Sequence, residues 1–158
     1  MVFISAGEPM TGHRAVCGLV RSSYLVAITA IMLGCQSAPP SDSLYQDLGG
    51  LAGITRVADN FLYHLGRDDR VIDFFAESDI DRFHEKVIEH ICELSGGPCE
   101  YTGDSMLETH RGMGINDTQF NAVVEDLILA MEDAGLGTTA QNRLLSVLAP
   151  LHQNIVEH

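Results

Sequence analysis

Apolar residues recur at intervals of three and four through four stretches of the chain, the spacing that lines them along one face of an α-helix. The first stretch carries Leu51, Ile54, Val57, Ala58, Phe61, Leu62 and Leu65, and the second Ile80, Phe83, Val87, Ile91 and Leu94. The third runs through Phe120, Val123, Val124, Leu127, Ile128 and Met131; the fourth through Leu144, Leu145, Val147, Leu148, Leu151 and Ile155. None alternates with period two for long enough to form a strand, so the pattern predicts an all-α domain. Asn116 with Gln119, and Thr138 with Gln141, are spaced as capping boxes at helix starts. Gly135 and Gly137 stand where the third helix should stop, while Gly49-Gly50 and Gly96-Gly97-Pro98 break the chain elsewhere. Between Pro98 and Asn116 the periodicity lapses, which predicts a loop with at most one short helix.

The pattern changes before residue 43. Arg14 and Arg21 precede an uncharged apolar run from Tyr24 to Leu33, too short for a mature transmembrane helix but suited to the core of a secretory signal. The run ends in Met32-Leu33-Gly34-Cys35, which resembles a bacterial lipoprotein cleavage box with Cys35 as the lipidated residue. An ordinary signal peptide or an uncleaved anchor is the alternative. Residues 36–42, rich in Ser and Pro, follow as a flexible tether. The expected organisation is therefore a signal over 1–35, a tether over 36–42 and one domain over 43–158, held at the cell envelope or in the periplasm by a lipid anchor in the membrane. In such an oxidising compartment Cys92 and Cys99 have the opportunity to pair. Spacing alone leaves two idle thiols as the simpler expectation.

Composition narrows the function classes. A formal charge of −13 argues against a nucleic-acid partner, whose phosphates require clustered Lys and Arg. Hydrophobic residues make up 46% of the chain, enough for a real core. Among nine basic residues the only lysine is Lys86. An ordinary helical bundle satisfies all of this, but leaves unexplained the long loop that places His110 between two strongly apolar helices.

The ordered set Leu44-Tyr45, Leu48-Gly49-Gly50, Phe74-Phe75, Gly96-Gly97-Pro98, Tyr101-Thr102-Gly103, Met106 and His110 followed by Gly114-Ile115 resembles the group 1 truncated haemoglobins. The resemblance runs from Ser43 to about Val156 and implies a truncated globin, a two-over-two helical sandwich around haem b (iron protoporphyrin IX). It implies His110 as the proximal ligand of the iron, through a neutral imidazole nitrogen whose ring partner is fixed by an acceptor. It further implies that Phe75 packs on the haem face, that Phe61, Tyr101 and Met106 belong to the haem surroundings, and that His152 matches a histidine some relatives bond covalently to a haem vinyl group. A surface position for His152 is the alternative.

On the opposite face of the haem the chain departs from the family. The tyrosine expected after Phe61 is Leu62, and Phe83 and Val87 stand where relatives often carry polar residues. The inferred pocket of Leu62, Phe83 and Val87 has no hydrogen-bond donor. Losing a donor to oxygen costs about 1–3 kcal/mol, so weaker oxygen retention and faster autoxidation are expected. Lys86 has two open roles, an ion pair with a haem propionate or a sixth ligand to the iron. His84 and His90 are expected on other, solvent-facing sides of the same helix. The favoured function is reversible binding of a diatomic gas (oxygen, carbon monoxide or nitric oxide). The alternatives are a haem redox protein or enzyme, served by an unidentified electron donor, and a degenerate globin with a purely structural part.

Overall fold

The computed structural model describes residues 43–156. The expected signal with its Cys35, and the tether over 36–42, lie outside the described residues. Among the described residues six α-helices follow one another: α1 (Leu44–Asp47), α2 (Gly50–Leu65), α3 (Ile80–Leu94), α4 (Met106–His110), α5 (Asp117–Asp133) and α6 (Thr138–Leu148). Two 3-10 segments, Ile72–Phe75 and Ala149–Asn154, complete them, and no strand occurs among the described residues. This is the all-α domain expected from the apolar spacing, in the sandwich that the resemblance implies. α2 packs against both α3 and α5, and α1 closes on α2 and α6.

The face of α2 that is buried reads Ile54, Val57, Ala58, Phe61 and Leu65, one stripe at helical spacing. It meets Leu127, Ala130 and Met131 of α5 and Leu144 of α6 in a single core. Leu48, Ile54, Val57, Met131 and Leu144 are fully buried; each such side chain contributes about 1.5–3 kcal/mol. The α1–α2 corner depends on absent side chains. Gly49 adopts φ 84°, a left-handed conformation that costs a glycine little. A Cβ on Gly53 would lie 1.8 Å from the carbonyl oxygen of Leu48.

Helix ends follow local chemistry. The Asn116 carboxamide accepts from the backbone N–H of Thr118 (2.9 Å) and Gln119 (3.2 Å), while Gln119 accepts from the Asn116 N–H at 3.0 Å. That is the expected capping box. The one expected at Thr138 and Gln141 does not form: Gly137 is the N-cap, Thr138 is already helical, and Gln141 instead donates to the Leu136 carbonyl at 2.8 Å. At the end of α5, Gly135 takes φ 77° and the Leu136 N–H returns to the Met131 carbonyl at 3.0 Å. The fourth apolar stretch is not one continuous α-helix. Pro150 has no N–H to continue the ladder, so α6 ends at Leu148 and the chain tightens into the 3-10 segment.

Cys92 and Cys99 are joined as a disulfide, which corrects the expectation of idle thiols. The turn that makes this possible is Gly96-Gly97-Pro98. Gly96 has φ 81°, and the Gly97 N–H bonds the Cys92 carbonyl at 2.8 Å. A Cβ on Gly97 would meet the Tyr45 ring at 2.5 Å and the Cys92 sulfur at 2.7 Å.

Candidate functional site

Between the layers lies an apolar cavity of about 410 Å³, within the range of small-molecule and cofactor sites. Its wall is drawn from α2, α3, α4, α5, the end of α6 and the two 3-10 segments. Phe75 and Phe83 meet in this wall with ring centroids 5.1 Å apart. α4 opens inside the predicted loop with a capping box of its own: Ser105 accepts from the Glu108 N–H and Glu108 reaches back to Ser105. This fixes a five-residue helix whose last residue is His110.

His110 lines the cavity, and its Nδ1 lies 2.7 Å from the Met106 carbonyl. A carbonyl oxygen only accepts, so Nδ1 carries the proton, and Nε2 of a neutral ring keeps its lone pair. Among the described residues no three or more His, Cys, Asp or Glu side chains gather as a metal site. An imidazole held in this way on an apolar wall suits an iron already held by a macrocycle rather than a bare ion.

At the mouth of the cavity Lys86 is 15% exposed, with Nζ 2.8 Å from both Glu89 carboxylate oxygens and 2.7 Å from the Thr102 hydroxyl. The Glu89 carboxylate also accepts from the Thr102 N–H at 3.0 Å. The Lys86 ammonium, and next the Thr102 N–H, draw the Glu89 pKa down to about 2. Tyr101 sits beside this group, its hydroxyl donating to the Asp104 carbonyl at 2.9 Å. Burial is the main reason its pKa is raised.

Of the expected site residues, Phe61, Phe75, Phe83, Lys86, Val87, Tyr101, Met106 and His110 are brought together around the cavity. Leu62 is not in the wall. Neighbours on a helix point about 100° apart, and Phe61 takes the inward direction, so the expected Leu62–Phe83–Val87 pocket is Phe61, Phe83 and Val87. His152 is also outside the wall, with Nε2 2.8 Å from the Asp117 carboxylate and its ring 4.6 Å from that of Phe120. Two expectations of solvent-facing histidines are corrected. His84 is half-buried and meets the Asp59 carboxylate of α2 at 2.8 Å. His90 lines the cavity. The signal for His90 was present in the sequence: it stands three and four residues after Val87 and Lys86, the spacing of one helix face.

A helical sandwich enclosing an apolar slot, with an oriented imidazole and a lysine in its wall, is an architecture able to enclose a flat, acid-bearing cofactor. Comparison with known proteins specifies the class further. The profile of bacterial-like globins matches residues 43–157. The group 1 truncated haemoglobin GlbN of Mycolicibacterium paratuberculosis is 30% identical over 79% of this chain and 91% of its own. That of Synechocystis is 31% identical over 72% and 96%. Among solved structures, truncated haemoglobin of Tetrahymena pyriformis in its Fe(III) form superposes with a TM-score of 0.70, at 26% identity, over 72% of this chain and 97% of that one. The 2/2 haemoglobin of Synechococcus, described in the cyanomet state with covalently attached haem, shares the fold with a TM-score of 0.68, at 22% identity, over 73% and 99%. The chain belongs to the bacterial-like globin family, among the group 1 truncated haemoglobins, and that membership implies a haem cofactor. The apolar walls, the oriented imidazole and the basic mouth fit such a group.

Proposed function

We propose that the domain holds haem b through His110 and binds a diatomic gas reversibly on the opposite face. The observation that carries this is the 2.7 Å contact of His110 Nδ1 with the Met106 carbonyl. It fixes the tautomer and leaves Nε2 as the donor to a metal, the arrangement in which a ligating histidine is oriented by its other ring nitrogen. When bound, haem supplies a ferrous iron that takes up oxygen, carbon monoxide or nitric oxide. The protein's part is to orient His110, to exclude water with Phe61, Phe75, Phe83 and Val87, and to place a cation at the mouth. An electron donor that restores the ferrous state completes the cycle.

Lys86 is assigned to a haem propionate rather than to the iron. Its ammonium is already shared by Glu89 and Thr102, and ligation would require it to shed a proton and leave both. A covalent link through His152 is not part of the proposal, because its Nε2 is engaged by Asp117 outside the cavity wall. Lipid anchoring on Cys35 and a periplasmic or cell-envelope location are part of it, supported by a disulfide of the kind that persists in oxidising compartments.

Phe61, Phe83 and Val87 offer no donor to a bound gas. Relative to a pocket with one, oxygen should be held about 1–3 kcal/mol less tightly, while carbon monoxide, which gains less charge, should lose little. Flash photolysis and stopped-flow measurements on the ferrous protein test this. Fast oxygen loss with tight carbon monoxide binding is expected, and slow oxygen loss would contradict it. Ferric spectra of wild type and Lys86→Ala should share one coordination state; a low-spin form that vanishes in Lys86→Ala would instead make the lysine a ligand.

A further inference from the structure

His90 has both ring nitrogens, Nδ1 and Nε2, buried and without a hydrogen-bond partner. A neutral imidazole carries one N–H donor, and an unpaired buried donor is costly. Burial holds the pKa of His90 below its ordinary 6.5 despite a lesser opposing pull from Glu93, so the ring is neutral at pH 7. The fold thus places a histidine in the wall of the cavity with its donor unused.

The position of the ring narrows what that donor serves. α3 gives Phe83, Lys86, Val87, His90 and Ile91 to the wall. Val87 stands mid-row, and His90 lies about 4.5 Å further along the axis. There its ring packs 4.6 Å from that of Tyr101. The adjacent residue of that loop, Thr102, holds the Lys86 ammonium at the mouth. His90 therefore belongs to the edge of the slot that carries the lysine, not to its middle. A porphyrin presents hydrocarbon along its edge and commits its four nitrogens to the metal. The only acceptors it brings to an edge are its two carboxylates.

We propose that His90 donates a hydrogen bond to a haem propionate, so that His90 and Lys86 together form a two-point carboxylate site on α3. The inference rests on the haem-binding function proposed above. Because Tyr101 packs against the His90 ring, the 101–102 loop positions both donors, and the Cys92–Cys99 bridge anchors the start of that loop.

The test is haem transfer from the full-length holoprotein to an excess of apomyoglobin. Wild type, His90→Phe and His90→Gln are each loaded with haem b and, separately, with its dimethyl ester, in which both carboxylates are masked. Phe keeps a ring against Tyr101 and removes both nitrogens; Gln restores an N–H donor. Native haem should leave His90→Phe about tenfold to hundredfold faster than wild type, with part of the difference recovered in His90→Gln. With the ester all three proteins should release at similar rates, and their ferric spectra should match throughout. Equal rates with native haem overturn the proposal, as does an acceleration that persists with the ester or a changed coordination state. Should His90→Phe fail to fold, His90→Leu, which likewise removes both nitrogens, takes its place and is read in the same way. Failure of wild type to take up haem would overturn the proposed function itself, a result distinct from uptake with rates that His90 does not influence.

Discussion

Reduction of the Cys92–Cys99 bridge should destabilise the domain by an amount that follows from the loop it closes. The two cysteines are seven residues apart, so eight residues are held in the ring. Loop-closure entropy for a ring of that size is about 8 cal/mol/K, or about 2.5 kcal/mol at 25 °C. The native side of the balance changes little, because Cys92 is fully buried and its surroundings persist around a thiol. With a urea slope of about 1.5 kcal/mol/M for a domain of this size, the midpoint should fall by about 1.7 M. Equilibrium unfolding of the oxidised protein, and of the same protein in a phosphine reductant, measures the difference directly. Cys92→Ala/Cys99→Ala should fall near the reduced protein in both conditions and no longer respond to reductant. The bridge anchors the chain that leads to Tyr101 and Thr102, so the reduced holoprotein should also release haem faster. An unchanged midpoint, or a reductant effect that survives in the double variant, would refute the reasoning.

Other consequences are more local. Gly97→Ala drives a Cβ to 2.5 Å from the Tyr45 ring and 2.7 Å from the Cys92 sulfur, and should cost about 1–3 kcal/mol by thermal or urea unfolding; a neutral result would mean this corner is loosely packed. Asn116→Ala removes the acceptor at the start of α5 and should cost about 1 kcal/mol, a fall in Tm of roughly 4 °C. Asp126 is buried with Oδ2 unpaired, and burial, followed by the charge of Asp68, raises its pKa above 3.8. The folded state therefore binds more protons than the unfolded chain above that pH. Its contribution to stability falls as pH rises from 3.8 through the folded value and stays low at neutrality. Asp126→Asn should flatten that part of the stability–pH curve and raise stability at pH 7; a variant with the wild-type slope would argue against it.

The long helices were legible because each buries one face, and burial enforces the 3.6-residue spacing. Shorter pieces were not. α1 has four residues and α4 five, less than two turns, too little for periodicity to register, and their positions are set by Gly49, by the Ser105–Glu108 box and by tertiary contact. The site was legible where it repeats the family's residues, as with Phe75, Met106 and His110. It was misread where one residue of helix rotation decides the outcome, as with Leu62 beside Phe61. His90 was expected to face solvent because histidines are commonly exposed, although its spacing from Val87 and Lys86 pointed inward. The cysteine pairing depended on a turn whose geometry no spacing rule supplies.

His110→Gly, titrated with free imidazole, tests the central claim most directly. The cavity left by the missing ring should admit the ligand, and haem absorption should report what holds the iron. The account predicts that His110→Gly takes up haem weakly with altered ferric and ferrous spectra, and that free imidazole restores the wild-type bands in both states. Wild-type bands in His110→Gly without added imidazole would contradict it and place the iron on another residue.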